Sequence, residues 1–301
     1  MRVWVPWTGL IDEPDGVPDG VEVDQWTGGD PPASAAEVQF VVPPFFVADQ
    51  PDVLRRLPKL RVVQTVSAGV DWLLPHLPER VTLCDARGVH DTSTAEWVLT
   101  AMLAVVREFP RFVRAQLEGR WDYGGTGELS GKTVLVVGYG SIGAAIEQRL
   151  QPFDVTVLRA ARRGRDGVAP VEALPELLPK ADIVVLIVPL TSQTRGMVDA
   201  AFLGRMKDGA CLVNAARGPV VHTDALLAEL QSGRLTAAVD VTDPEPLPEG
   251  HPLWSAPGLL LTPHVAGSTD AFRGRIARLV QDQVARYLAG EPLANVVAGE
   301  Y

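Results

Sequence analysis

A chain of 301 residues, 47% apolar and 21% charged, is long enough for one large or two ordinary globular domains with sizeable cores. Its 37 acidic side chains outnumber 27 Lys and Arg, for a formal charge of −10, so no basic excess exists to hold nucleic acid or an anionic membrane. Cys84 and Cys211 each lie in an apolar, strand-like run, which suits buried free thiols rather than a disulfide or a metal site. The start, MRVWVPW, lacks a basic segment leading a long apolar one, and no apolar run is long enough to span a membrane, so the expected location is the cytoplasm.

In chain order, short β-branched runs at residues 3–5, 38–42, 60–66 and 81–84 are separated by Pro, Gly and Asp and predict buried strands. Next, Ser93-Thr94-Ala95-Glu96 has the form of a capping box. Ala95, Val98, Leu99, Met102 and Val106 follow at helical spacing, predicting a long helix that stops before Pro110. A second strand series follows at residues 133–137, 154–158, 183–188, 211–214, 237–241 and 259–262, with helical segments between many of them. A last helix is expected over about residues 269–288, ended by Gly290 and Pro292. Pro- and Gly-rich pieces at 13–20, 27–32 and 124–127 are expected as surface loops.

Strands alternating with helices imply parallel sheets covered on both faces. The expected fold is α/β with two doubly wound parallel-sheet domains. A Rossmann dinucleotide-binding domain, residues 92–270, is inserted into a flavodoxin-like substrate domain formed by residues 1–91 and 271–301.

Gly138-Tyr139-Gly140-Ser141-Ile142-Gly143 follows the strand at 133–137 and opens a helix. The first glycine allows a tight turn, the second a close approach of backbone to a pyrophosphate, and the third close packing of helix on strand. The motif lies mid-chain, after a complete sheet, a layout that few nicotinamide enzyme families have.

Three further segments follow consecutive strands: Asn214-Ala215-Ala216-Arg217-Gly218-Pro219, Asp240-Val241-Thr242-Asp243-Pro244-Glu245-Pro246 and Thr262-Pro263-His264-Val265-Ala266-Gly267-Ser268. Their place at carboxyl ends of strands is the edge where open α/β sheets bind ligands. An arginine offers a planar fork for a carboxylate and a carbonyl. A histidine exchanges protons near neutral pH, and a carboxylate on its far nitrogen fixes the tautomer. Together with GYGSIG, the segments NAARGP, DVTDPEP and TPHVAGS resemble those of the D-isomer-specific 2-hydroxyacid dehydrogenases, of the glyoxylate/hydroxypyruvate reductase kind, and the similarity covers essentially the whole chain.

The resemblance implies hydride transfer between NAD(P)H and a small 2-keto or 2-hydroxy acid. It makes Arg217 the substrate-binding arginine, His264 the acid/base and Glu245 its partner. It gives Asp240 to the nicotinamide carboxamide and Pro189 and Thr191 to the adenosine side. It also makes Ala68, Gly69 and Val70 a loop whose amides hold the substrate carboxylate, with closure bringing that loop towards Arg217. Thr242 stands where the family often has an aromatic residue. The family further implies a homodimer, with the helix at 93–107 and the arm at 121–127 in its interface. Formate dehydrogenases share the architecture, but their histidine partner is not an acid, so Glu245 argues against them. A nicotinamide-sensing, corepressor-like regulator on the same fold is the alternative from another class.

Cofactor choice is read at the second strand of the dinucleotide domain. NAD-selective sites place an acid there, about twenty residues beyond the glycines, on the ribose hydroxyls. Here Arg159-Ala160-Ala161-Arg162-Arg163-Gly164-Arg165 holds no acid. NADP is therefore expected in preference to NAD, with Arg162 first and Arg163 second on the 2′-phosphate, and Arg159 supporting the loop. His76, His222 and His251 are expected at the surface or in packing, His90 outside the site, and Trp121 and Trp254 in packing. Residues 43–46, Pro-Pro-Phe-Phe, suit a pocket lining or a core.

Overall fold

The structure, a computed structural model, describes residues 1–11, 18–45 and 50–299. The chain divides into two compact units, Met1–His90 with Thr269–Tyr301, and Asp91–Ser268.

The first unit holds five parallel strands: β1 (Arg2–Val5), β2 (Glu22–Gln25), β3 (Val38–Val41), β4 (Val62–Gln64) and β5 (Thr82–Cys84), in the order β2-β1-β3-β4-β5. This is the flavodoxin-like order. Strand alternation sends Val3, Val5, Phe40 and Val62 to one face, where Ile276, Val280 and Val284 of the C-terminal helix Phe272–Ala289 cover them. Trp4, Val38, Val41 and Val63 pack on the opposite side with Leu54 of α1 (Gln50–Arg56). Two fully buried amides fasten the C-terminal helix: Gln283 Nε2 donates to Gln64 Oε1 at 2.8 Å, and Gln64 Nε2 to the Asp85 carbonyl at 2.9 Å. The helix starts three residues later than expected and ends on Gly290, whose φ of 67° closes it in the left-handed conformation.

The second unit opens with α2 (Asp91–Val106) and α3 (Phe109–Leu117). Its seven-stranded parallel sheet comprises β6 (Thr133–Val137), β7 (Thr156–Ala161), β8 (Ala169–Pro170), β9 (Ile183–Leu186), β10 (Cys211–Asn214), β11 (Thr236–Val239) and β12 (Leu259–Leu261). The order β12-β11-β10-β9-β6-β7-β8 is that of a dinucleotide-binding sheet, reversing direction of growth between β6 and β9. Ala95, Val98, Ala101 and Met102 of α2 pack over Val134, Val136, Val185 and Val213, with Ile146 of α4 (Ser141–Leu150) beside them. Among the described residues, no helix is long and apolar enough to cross a membrane.

Local details depart from expectation for physical reasons. Helix α2 begins at Asp91, so Ser93 lies buried inside its first turn and Glu96 pairs outward with Arg149 at 3.4 Å; the capping box does not form. An acid at the first position suits the helix dipole instead. Strand β7 is shifted: Asp154, expected to begin it, takes a left-handed turn at φ 53°, and the strand continues to Ala161. Strands β2 and β8 carry no apolar signature. The first is Glu-Val-Asp-Gln at a sheet edge, and the second is two residues ending in Pro170, also at an edge.

Candidate active site

The glycine loop follows β6 at the switch point of the sheet. Gly138 has φ 102°, and a Cβ there would lie 2.6 Å from the Ile187 carbonyl oxygen, so any side chain would force β6 and β9 apart. A Cβ on Gly143 would meet the Gly138 carbonyl and Val136 Cγ1, both at 3.3 Å, where α4 rests on its strand. A Cβ on Gly140 would meet nothing within 4 Å. That open side lies at the start of α4, whose N-cap is Gly140 itself, with no side chain capping it. The first-turn amides of this ten-residue helix therefore have no side-chain cap. These residues fit a dinucleotide pyrophosphate.

Tyr139 in this loop is tied to the second strand. Its hydroxyl donates to Glu147 Oε2, and Arg159 grips the same carboxylate through Nε at 2.7 Å and through Nη2. The guanidinium groups of Arg159 and Arg165 each lie 5.7 Å from the Tyr139 ring centre, and Arg165 also donates to the Tyr139 carbonyl. The Arg159 bonds hold Glu147 below the usual carboxylate range despite its partial burial. Arg159 thus lies inside β7 and is held by Glu147; Arg162 and Arg163 follow the strand end, on the exposed surface. No reading of the sequence singled out Glu147; its distance from Arg159 along the chain hides a pairing that only helix-on-strand packing creates. Beyond β9, Thr194 Oγ1 donates to the Pro189 carbonyl at 2.6 Å and accepts from the Thr191 amide at 2.8 Å, which fixes that turn.

Three strand-end turns carry the remaining site residues. After β10, Asn214 caps its own turn: its Oδ1 accepts from the Ala216 amide at 3.0 Å and its Nδ2 donates to the Arg217 carbonyl at 3.2 Å. Arg217 Nη1 donates to the Ala216 carbonyl at 2.8 Å. Gly218 follows where a Cβ would lie 1.8 Å from the Thr242 carbonyl oxygen, so the turn after β10 presses directly on the turn after β11. Thr242, in place of the family's frequent aromatic, donates to the Pro244 carbonyl at 2.9 Å and orders the approach to Glu245.

Glu245 Oε1 lies 2.6 Å from His264 Nδ1. Burial pushes the Glu245 carboxyl up, but the His264 bond and charge, the Thr242 amide and the Arg217 charge outweigh it and hold the group below its ordinary value. The His264 contact and the Arg217 charge thus both bear on the Glu245 carboxylate. His264 itself is left-handed, with φ 54°, a conformation that costs a non-glycine residue roughly 1–2 kcal/mol. Asp240, expected against the nicotinamide, is 3% exposed, and both its carboxylate oxygens accept protein hydrogen bonds: Oδ1 from Thr262 Oγ1 (2.6 Å) and the Val265 amide (2.8 Å), Oδ2 from the Ala266 amide (2.9 Å).

In the first unit, the Ser67–Val70 loop turns its carbonyls towards protein donors. Ser67 O accepts from Thr65 Oγ1 and the Ala86 amide, Gly69 O from Ser67 Oγ, and Val70 O from the Leu73 and Leu74 amides. His90 is buried, with Nε2 2.9 Å from the Val66 carbonyl and its ring stacked on Phe272. His251 caps a short helical turn by accepting from the Leu253 amide, and Gly196 backs on to His222. Trp254 and Trp121 are not packed as expected: they are 55% and 93% exposed. Phe45 meets Phe272 edge-on, and Phe46 lies outside the described residues. Among the described residues, no cluster of His, Cys, Asp and Glu is arranged to hold a metal ion.

The sequence profile of the D-isomer specific 2-hydroxyacid dehydrogenase NAD-binding domain matches residues 99–266. The chain is 38% identical to a glyoxylate reductase of Thermofilum pendens over 255 residues, 80% of this chain and 75% of that one. It is 32% identical to the chloroplastic/mitochondrial formate dehydrogenase of Arabidopsis thaliana over 260 residues, 81% and 68% of the two chains. Its fold is similar to a D-isomer specific 2-hydroxyacid dehydrogenase of Xanthobacter autotrophicus solved with NADPH and MES, at a TM-score of 0.82 and 32% identity, over 99% of this chain and 98% of that one. The chain belongs to the D-isomer specific 2-hydroxyacid dehydrogenases, NAD(P)-dependent oxidoreductases of two parallel-sheet α/β domains.

Proposed function

We propose that this enzyme reduces a small 2-keto acid, such as glyoxylate or hydroxypyruvate, with NADPH, using His264 as acid, Glu245 as its partner and Arg217 as substrate anchor. The observation that carries the reading is the 2.6 Å contact between His264 Nδ1 and Glu245, on a carboxylate that also feels the Arg217 charge.

The nicotinamide, when bound, supplies the hydride in reduction and takes it in oxidation. Arg217 holds the substrate carboxylate and draws electron density towards the keto oxygen. His264 enters protonated, with Nδ1–H donated to Glu245, and gives its Nε2 proton to the oxygen as the alcohol forms. Glu245 stabilises the imidazolium before transfer and keeps the tautomer fixed afterwards. In oxidation neutral His264 takes the hydroxyl proton back. The Ala68, Gly69 and Val70 amides serve the substrate carboxylate, a role favoured by carbonyls already committed to protein donors. The loop Gly138–Gly143 holds the pyrophosphate, and Pro189 and Thr191 border the adenosine.

NADPH is favoured because nothing acidic stands at the end of β7, where Ala161 is followed by exposed Arg162 and Arg163. Arg159 supports the loop through Glu147 and Tyr139. A guanidinium there pairs with a 2′-phosphate by charge-assisted bonds.

A second copy of the chain is the proposed partner. Phe109, Val113 and Leu117 form an exposed stripe along α3, and Trp121 and Tyr123 beyond it are more than nine-tenths exposed. Asp122 between them is clamped by Arg111 at 2.8 Å and Arg120 at 3.0 Å, which presents both rings outward. A recess of about 520 Å³ beside α3, at the amino-terminal edge of the second sheet, adjoins this face.

The test is turnover of NADPH and NADH with glyoxylate, hydroxypyruvate and phenylpyruvate. Fast turnover with one of them supports the enzyme; tight nucleotide binding without turnover of any 2-keto acid overturns it in favour of a nucleotide-sensing regulator.

A further inference from the structure

Asp240 joins the turns that carry Arg217 and His264. Its amide donates to the Asn214 carbonyl at 2.9 Å, and Asn214 caps the Arg217 turn. Its carbonyl accepts from the His264 amide at 2.7 Å. Its carboxylate holds Thr262 on one side of His264 and the Val265 and Ala266 amides on the other. The left-handed His264 is thus gripped from both flanks and through its own amide. A further link leads to helix α2: Trp97 Nε1 donates to Thr262 Oγ1 at 3.1 Å.

We infer that Trp97, Thr262 and Asp240 form a positioning relay that holds His264 in its left-handed turn, with Nδ1 on Glu245. The direction of the relay follows from donor and acceptor counts. A carboxylate only accepts, so Asp240 takes the single Thr262 hydroxyl proton. The threonine oxygen then turns a lone pair outward, and the indole N–H, which only donates, fills it. Each link orients the next, and the chain ends on a carboxylate buried beside the proton-transfer residue. Removing the threonine hydroxyl leaves Asp240 Oδ1 with the Val265 amide alone and strands the indole N–H. The His264 turn then has a cheaper exit from its left-handed conformation, and the ring leaves Glu245 for part of the time.

The inference rests on His264 being the acid/base, and the test separates the two. The full-length enzyme is compared with Thr262→Val, Thr262→Ser, Trp97→Phe and the Trp97→Phe/Thr262→Val double variant, using glyoxylate and NADPH. The readouts are kcat, NADPH dissociation constant by fluorescence, the pH–rate profile and Tm. A misplaced catalytic group costs up to about a hundredfold in rate, so Thr262→Val should lower kcat by about tenfold or more while the NADPH dissociation constant stays within about twofold. Thr262→Ser should restore most of the rate, and Trp97→Phe should lose about threefold. The double variant should be no worse than Thr262→Val, because both changes cut one chain. A Thr262→Val enzyme with wild-type kcat overturns the relay. So does a loss that falls on nucleotide affinity instead of kcat, or a serine variant as slow as valine. If Thr262→Val does not fold, the Trp97→Phe rate and pH profile decide alone. A His264→Ala enzyme that still turns over defeats the acid/base reading; an inactive His264→Ala beside a normal Thr262→Val defeats only the relay.

Discussion

Glu245 and His264 meet at 2.6 Å although they sit on turns after different strands, and the Arg217 charge bears on the same carboxylate. Because the Glu245 pKa is depressed, its charged form is fully present above the ordinary carboxylate range and is lost only as pH falls through the lowered value. The pair is intact at neutral pH. His264→Ala should lower kcat by about a thousandfold or more, since proton donor and carbonyl bond vanish together. In Glu245→Gln the imidazolium loses its counter-charge, so the alkaline fall of the reduction rate should move to lower pH. A pH–rate profile of each variant checks both, and an unmoved profile removes Glu245 from the mechanism.

Gly218 is the contact between the Arg217 and Glu245 turns. A methyl group at that position cannot coexist with the Thr242 carbonyl 1.8 Å away, so Gly218→Ala must displace one turn. The expected loss is about a hundredfold in kcat/KM, with stability lowered by about 1–3 kcal/mol. Steady-state kinetics and thermal melting measure the two effects, and wild-type kinetics would show that the turns tolerate separation.

Cofactor choice should follow Arg162. Arg162→Ala is expected to raise the NADPH KM by about tenfold and to leave the NADH KM nearly unchanged, because only NADPH carries the 2′-phosphate. Comparing kcat/KM for both nucleotides with one keto acid is the check. A wild-type preference for NADH would end the NADPH assignment, and an unaltered NADPH KM in the variant would move the phosphate to Arg163.

The proposed second copy covers Trp121 and Tyr123, which are more than nine-tenths exposed in the single chain. Light scattering at micromolar concentration should give twice the 32.3 kDa chain mass. Trp121→Ala with Tyr123→Ala should shift the mass towards the monomer without loss of secondary structure. A wild-type monomer excludes the second copy.

The thiols should be silent in the native protein. Burial pushes Cys84 up to about 11 and Cys211 to about 12. At pH 8 neither holds an appreciable thiolate fraction, so a disulfide reagent should label both only after denaturation. Rapid native labelling of either would contradict its burial.

The sequence by itself determined most of the strands and the long helices, the glycine loop after β6 and the choice of Arg217, Glu245 and His264 as candidates. Those follow from local rules: apolar runs fix strands, and βα alternation sends every following turn to the same sheet edge. Tertiary structure alone decided which side chains meet. It moved β7 three residues on, to Ala161, which drew Arg159 inward to Glu147 and left Arg162 and Arg163 at the strand end. It placed β2 and β8 at edges where pairing, not composition, makes the strand. It turned Asp240 into the buried acceptor for Thr262, Val265 and Ala266, and set Trp97 of α2 behind Thr262. Trp97 and Thr262 are separated by most of the second unit, and no periodicity encodes a hydrogen bond between such positions; it exists only once α2 has packed on the sheet.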